Sequence, residues 1–330
     1  MMFEKIWMAG AIVSIALIGC ATTQRLPWEN PYGTFVGAKE GEIIHVSTGL
    51  RVNKDQLLDI IGGSRLIYIG ETHDNLRAHQ VQLEIIRGLA ERFPGQLAVG
   101  MEMFQRSYQV VMDRWSRGEL GERDFLRQSG WYTNWGMDYG YYRAILDYIR
   151  EEHLPLLALN ASSELVTAVG NHGFHGLSQT WEHQLPEMDF SDPYHRQLIE
   201  AYYNAHPPTS AQSFEAFYQV YVLWDETMAE TVANYLSTEE GQGKKVVVLA
   251  GGNHVRFGFG IPRRLFRRLP VAYSIILPTE VSIPEDKRRR LMHVNLPTIP
   301  LTPADFFWVV PYDDLRNGKG DDKRISGDCP

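Results

Sequence analysis

The chain has 330 residues with an apolar fraction of 44% and a charged fraction of 22%, values of an ordinary globular protein that can bury a large core. This excludes a disordered or fibrous chain, and the net charge of −8 excludes a general nucleic-acid binder. Aromatic residues are the oddity at 12%, concentrated between Tyr108 and Tyr235.

Residues Ile6 to Gly19 form an uncharged, mostly apolar stretch behind Lys5. Its length of about 14 residues suits a signal-peptide core and is too short for a bilayer core of about 30 Å. The stretch ends Leu17-Ile18-Gly19-Cys20, which resembles the lipobox of bacterial lipoproteins. A thiol there accepts a diacylglycerol and becomes the amino terminus after cleavage, and several acyl chains on one residue make a stable anchor. Cys20 is therefore the expected lipidation site. Ala21, rather than Asp, resembles an outer-membrane retention signal, so the expected address is the bacterial cell envelope. The other cysteine, Cys329, stands one residue from the end and reads as part of a frayed tail.

Segment 20–33 is polar with two prolines and reads as a tether. Glu42 to Val46 is a strand of an amino-terminal hairpin. Asn53 caps a short helix, with Gln56 completing a capping box and Gly62-Gly63 stopping it. A strand from Arg65 to Gly70 precedes a helix from about Leu76 to Arg92, whose apolar stripe is Leu76, Leu83, Ile86 and Ala90. The strand Gln96 to Val99 runs into Gly100-Met101-Glu102-Met103-Phe104, and helices follow as far as Glu152. After a strand from Leu154 to Leu159, residues Ala161 to Gly243 read as almost entirely helical. Alternation then resumes with Val246 to Ala250, Pro262 to Arg268 and Val271 to Leu277.

That order predicts an α/β fold: a mainly parallel sheet with flanking helices and a large helical insertion covering its carboxyl edge. The expected organisation is a signal peptide 1–19, the tether 20–33, a domain 34–312 and a polar tail 313–330. Within the domain, helical insertions are expected at about 105–152 and 161–243.

Two matching frames carry the chemistry. Gly70-Glu71-Thr72-His73 and Gly251-Gly252-Asn253-His254 each close an apolar strand, where ligands of α/β sheets bind. Glu102 ends a third strand at equivalent depth. A lone strand-end histidine is more often a hydrogen-bonded core residue; two in matched frames favour a site. Glu71, His73, Glu102 and His254 suit Zn²⁺, Mn²⁺, Co²⁺ or iron, or a His/Glu pair activating water. Gly70 and Gly251 fit a crevice where backbones approach closely.

Supporting candidates surround this core. Asp74 and Asn75 either cap the next helix or face the crevice, and His79 lies on that helix's inward stripe. Asp225 points with Tyr221 and Met228 toward the interior of a helix from Ser213 to Leu236, where a buried acid needs a partner. Asn253 and Arg256 flank His254, and Arg256 is suited to a carboxylate or propionate. Arg263, Arg264, Arg267 and Arg268 read as a solvated helix face. The ring-rich run Trp131 to Tyr142 either packs an insertion against the sheet or holds a flat apolar ligand. A tyrosinate can ligate ferric haem, which makes Tyr139, Tyr141 and Tyr142 ligand candidates. Gly258-Phe259-Gly260 lacks the third glycine of a dinucleotide fingerprint, which excludes NAD.

Four stretches together resemble the ChaN-like haem-binding uptake lipoproteins: Gly70 to Asn75 with His79 and Gln82, Met101 to Phe104, Trp224 to Ala229, and Leu249 to Val255. The similarity covers roughly Arg65 to Leu277; where that family often has paired histidines in the first helix, this chain has Ala78-His79. The resemblance implies iron acquisition and cofacial haems held between two subunits through tyrosine, hence haem and a second copy of the chain as partners. The wider superfamily includes Tiki-type metal-dependent proteases and erythromycin esterases. There, the positions matching Gly70, His73, Glu102, Gly251 and His254 are catalytic, which implies a hydrolase as the alternative.

Overall fold

A computed structural model describes residues 37–205, 213–281, 299 and 301–315. The signal segment, Cys20, the tether and Cys329 lie outside the described residues. Among the described residues no helix is long and apolar enough to cross a membrane.

Eight strands form one sheet: β1 (Ile43–His45), β2 (Leu50–Val52), β3 (Leu66–Glu71), β4 (Leu97–Gln105), β5 (Leu156–Asn160), β6 (Lys245–Gly251), β7 (Tyr273–Glu280) and β8 (Phe306–Val310). Their order is β2-β1-β8-β7-β3-β6-β4-β5. The six from β8 to β5 run parallel, and the hairpin β1–β2 joins antiparallel through β8. β8 went unread in the sequence, although its run of five apolar residues carries a strand signal. Every strand in the β3–β6–β4 centre is buried on both faces, which explains the continuous Val/Ile/Leu runs.

Strand alternation divides the core into two layers. Ile67, Ile69, Val99, Met101, Val247 and Leu249 face one way, against the helices Leu76–Arg92, Gln109–Ser116 and Arg143–Glu151. Leu66, Tyr68, Ala98, Val246, Val248 and Ala250 face the other way, against Phe214–Ser237 and Ile261–Arg268. The parity reaches the strand ends: Glu71 continues the first set and Glu102 the second.

The expected capping box on Lys54–Ile61 forms, with Asn53 accepting from Gln56 N and Gln56 accepting from Asn53 N. The packed chain also extends past 312. Asp314 is buried and accepts a 2.5 Å hydrogen bond from the Tyr141 hydroxyl, so the segment expected as a polar tail begins inside the fold.

Candidate functional site

Glu71, the last residue of β3, pairs in register with Gly251, the last residue of β6, so both glycine frames open at one point of the carboxyl edge. Close crossing there requires small residues. A Cβ on Gly70 would stand 2.4 Å from Leu277 Cδ2 and 3.2 Å from Gly252 Cα. One on Gly251 would stand 3.0 Å from His73 Cε1, 3.2 Å from His73 Nε2 and 3.5 Å from Glu102 Oε2. The four core residues are thus brought to one crevice, two from each face of the sheet.

On the first face, Glu71 Oε1 takes hydrogen bonds from His73 Nδ1 at 2.7 Å and from the Tyr142 hydroxyl at 2.6 Å. Its other oxygen accepts from Gln82 Nε2 at 2.8 Å and lies 3.4 Å from His79 Nδ1. Burial alone would raise the Glu71 carboxyl, but the His79 charge and the hydrogen bonds of His73 and His79 outweigh it and hold the group well below the carboxylate range. His73 is desolvated too, yet its bond to Glu71 raises its pKa. Its side chain is 40% exposed, with Trp135 edge-on at 4.8 Å. Because Nδ1 is held by Glu71, Nε2 is the nitrogen left free, on the side of Gly251.

On the second face, His254 Nδ1 bonds Asp225 Oδ1 at 2.7 Å and its Nε2 lies 3.4 Å from Glu102 Oε1. Glu102 Oε2 accepts the Gly251 backbone N–H at 2.6 Å. Burial opposes the imidazolium, but the charges of Glu102 and Asp225 dominate and push His254 up to about 10. Both carboxyls respond in kind. Burial raises each, the His254 charge outweighs it, and each ends below its usual range. The Tyr221 ring stacks on His254 at 5.5 Å.

The arrangement is therefore two carboxylate–imidazole groups, in which both Glu71 oxygens are hydrogen-bonded while Asp225 Oδ2 has no hydrogen-bond partner. Among the described residues no group of three or more His, Cys, Asp and Glu side chains is placed to hold a metal ion.

The supporting candidates separate. Asn75 caps Leu76–Arg92 through Arg77 N, and its amide reaches Glu280 and the Pro311 carbonyl, so it joins the helix to the sheet edge. Asp74 accepts from the Tyr312 hydroxyl at 3.0 Å. His79 is buried between the His73 carbonyl and Gln82. Asn253 acts on the Tyr221 phenol beside His254. Arg256 is half-buried, and its Nε is buried without a hydrogen-bond partner. Leaving such a donor unmade costs about 1–3 kcal/mol.

Tyr139, Tyr141 and Tyr142 are all buried. Tyr142 is engaged by Glu71, Tyr141 by Asp314, and the Tyr139 hydroxyl is enclosed without a partner. Tyr132 is the exposed ring of that run, at 62%.

One expectation is corrected outright. Arg264 is not on a solvated face: it is 2% exposed, bonds the Phe259 carbonyl, and lies 3.3 Å from Glu226 Oε1. Arg267 and Arg268 converge on the same buried Glu226, which compensates a charge that burial alone would penalise. Sequence reading also missed His195, whose Nε2 lies 3.1 Å from Asp225 Oδ2. That contact is too poorly aligned for a hydrogen bond, and burial foremost lowers the His195 pKa. No local pattern marks His195, because Pro193–Ala205 lies far along the chain from β3 and β6.

A curated relative, the chloroplastic protein RETICULATA-RELATED 5 of Arabidopsis thaliana, is 25% identical over 250 residues, covering 68% of this chain and 32% of that protein. The chain thus spans about a third of that relative's length. A solved structure described as cofacial heme binding to ChaN of Campylobacter jejuni is similar in fold, with a TM-score of 0.62 at 16% identity, over 83% of this chain and 98% of that chain. A mutant of the erythromycin esterase EreC in its open conformation gives a TM-score of 0.42 at 14% identity, over 69% of this chain and 73% of that one. The family model described as haem-binding uptake, Tiki superfamily, ChaN matches residues 57–265, which contain both glycine–histidine frames, Glu102 and Asp225. The chain belongs to that family.

Proposed function

We propose that this chain is a haem-binding lipoprotein of the bacterial cell envelope that serves iron acquisition, and that the crevice between His73 and His254 is its ligand site. Family membership supports haem, and the lipobox-like Leu17-Ile18-Gly19-Cys20 supports the address. The observation that carries the placement is His73. An imidazole whose Nδ1–H is held by a carboxylate presents a basic Nε2, the arrangement found where histidine ligates a metal.

The residues present fit a haem at one point: His73 Nε2 would offer its iron a nitrogen donor. Haem would supply the iron chemistry there. The enclosed phenols of Tyr139, Tyr141 and Tyr142 reach it only if the segment opens, whereas Tyr132 is already exposed. Absorbance titration with ferric haem is the test, using full-length chain in detergent with His73→Ala and Tyr132→Phe. A Soret band lost in His73→Ala supports the imidazole. Loss only in Tyr132→Phe, together with a phenolate charge-transfer band in the unaltered chain, moves the ligand to that tyrosine. No band in any form rejects haem.

A second reading rests on the same geometry. His73 is held at Nδ1 by the Glu71 carboxylate, the arrangement of a general base and its orienting acid. Hydrolysis of model esters and peptides, compared between the unaltered chain and His73→Ala, tests it; turnover that survives in the variant removes it.

A further inference from the structure

We infer that a groove at the amino end of β5 is a second ligand site, and that it takes an extended organic cation with ammonium groups spaced along an alkyl chain. The groove lies at the opposite end of the sheet from the His73–His254 crevice, so its ligand is independent of the one bound there.

The groove has a volume of about 1270 Å³, above the range of about 300–1,000 Å³ common for compact small-molecule sites. Its floor is Pro155, Leu156 and Leu157, where the edge strand of the sheet begins. One side chain closes that edge: the Gln109 amide donates to the Leu156 carbonyl and accepts from the Ala158 N–H, both at 2.8 Å. Gln109 thus takes the place of a neighbouring strand, and the space beside it is a groove rather than a seat for strand pairing.

Both walls are the carboxyl-terminal ends of helices, Gln109–Ser116 and Phe214–Ser237, where partial negative charge gathers and cations stabilise. The chain places acids there instead. Asp113 stands in the last turn of the first helix and Glu119 just beyond it, while Glu239 and Glu240 follow the cap of the second. Of the basic residues lining the groove, Arg117 is bound to Glu119 at 2.6 Å, and His153 Nδ1 donates to the Ser116 carbonyl at 2.9 Å. Asp113, Glu239 and Glu240 make no ion pair within 4.0 Å among the described residues. Acids at this end of a helix are locally unfavourable, and a local rule broken without compensation marks a functional site. The walls carry a second, independent sign. Ser116 is 7% exposed and its hydroxyl has no hydrogen-bond partner, and the Tyr235 hydroxyl has none either, so two acceptors of the groove are left unused by the fold.

The ligand chemistry follows from where the charges stand. Among the described residues no three carboxylates or imidazoles converge as a metal ion requires. The acids flank an apolar floor, Asp113 and Glu119 on one wall and Glu239 and Glu240 on the other. An alkyl chain covers such a floor while its ammonium groups reach the carboxylates on either side, as a lysine stem does on a protein surface. A free polyamine and the lysines of a peptide share this chemistry.

The test titrates full-length chain in a non-ionic detergent with spermine and with tetralysine amide by calorimetry, at constant ionic strength, with Mg²⁺ as the control for bare charge. Asp113→Asn, on one wall, and the double variant Glu239→Gln/Glu240→Gln, on the other, are titrated and melted alongside. At least one amine should bind, and each variant should weaken it, the double variant by about fivefold. The double variant should melt no lower than the unaltered chain, because it removes acids from a helix carboxyl end. Spermine binding alone assigns a free polyamine, and tighter binding of tetralysine amide assigns a peptide. The inference is overturned if neither amine binds, if Mg²⁺ binds as well as the amines, or if a variant on either wall binds like the unaltered chain. A lower melting temperature in the double variant also overturns it, since the acids would then serve the fold.

Discussion

Asp225 Oδ1 lies 2.7 Å from His254 Nδ1, and its second oxygen lies 3.1 Å from His195 Nε2, so one buried carboxylate faces two imidazoles. The two contacts differ in kind. His254 is pushed toward its charged form, whereas burial pushes His195 toward its neutral one. Asp225→Asn therefore uncovers a buried imidazolium and should destabilise the protein by about 3–5 kcal/mol, as loss of one partner of a buried pair does. His195→Gln uncovers no charge and should cost clearly less. Urea denaturation of both variants checks the order, and equal losses would contradict it.

The same pair sets a pH dependence. The folded pKa of His254, about 10, lies above its ordinary value near 6.5. Its contribution is therefore complete below about 6.5 and is lost as pH rises through about 10. Stability measured at intervals from pH 6.5 to 10 should fall more in the unaltered chain than in His254→Gln. Parallel curves would show that His254 is neutral in the folded protein.

Gly70 and Gly251 should respond differently to alanine. At Gly70 the added Cβ meets Leu277 Cδ2 at 2.4 Å inside the sheet, and such overpacking costs typically 1–3 kcal/mol. At Gly251 it meets the half-exposed His73 ring at 3.0 Å, which can swing outward. Gly251→Ala should keep most of the stability and weaken ligand binding, as thermal melts beside haem titration would show.

Two buried phenols of the Trp131–Tyr142 run separate by partner. Tyr142→Phe removes a 2.6 Å hydrogen bond to a buried carboxylate, worth about 1.5–3 kcal/mol. Tyr139→Phe removes a hydroxyl that has no partner and should be near neutral. Neither should alter a haem spectrum, since both groups are enclosed. A changed spectrum with unchanged stability would return them as ligands.

Cys20→Ser should leave an unlipidated, uncleaved precursor, because only the thiol accepts the diacylglycerol. Labelling with a fatty-acid precursor and membrane fractionation check it; label retained in the variant would remove the lipoprotein assignment.

Strand-forming runs and the spacing of Gly70, His73, Gly251 and His254 are local properties, so the chain alone announced β3, β4, β6 and the crevice between them. The capping box at Asn53 was equally plain, since its donors and acceptors lie three residues apart. Parity along β3 and β4 places Glu71 and Glu102 on opposite faces, but which helices cover each face is not written in either strand. Tyr142, His195 and Glu226 stand on helices whose amphipathic patterns are satisfied by many packings. Only the folded arrangement, which closes the chain from β4 to β6 over one sheet edge, brings Tyr142 to Glu71 and His195 to Asp225. The arginines of Ile261–Arg268 show the same limit: a basic helix looks solvated until a buried acid from Phe214–Ser237 is placed beneath it, because charge pairing across a fold depends on distance in space and not on separation along the chain.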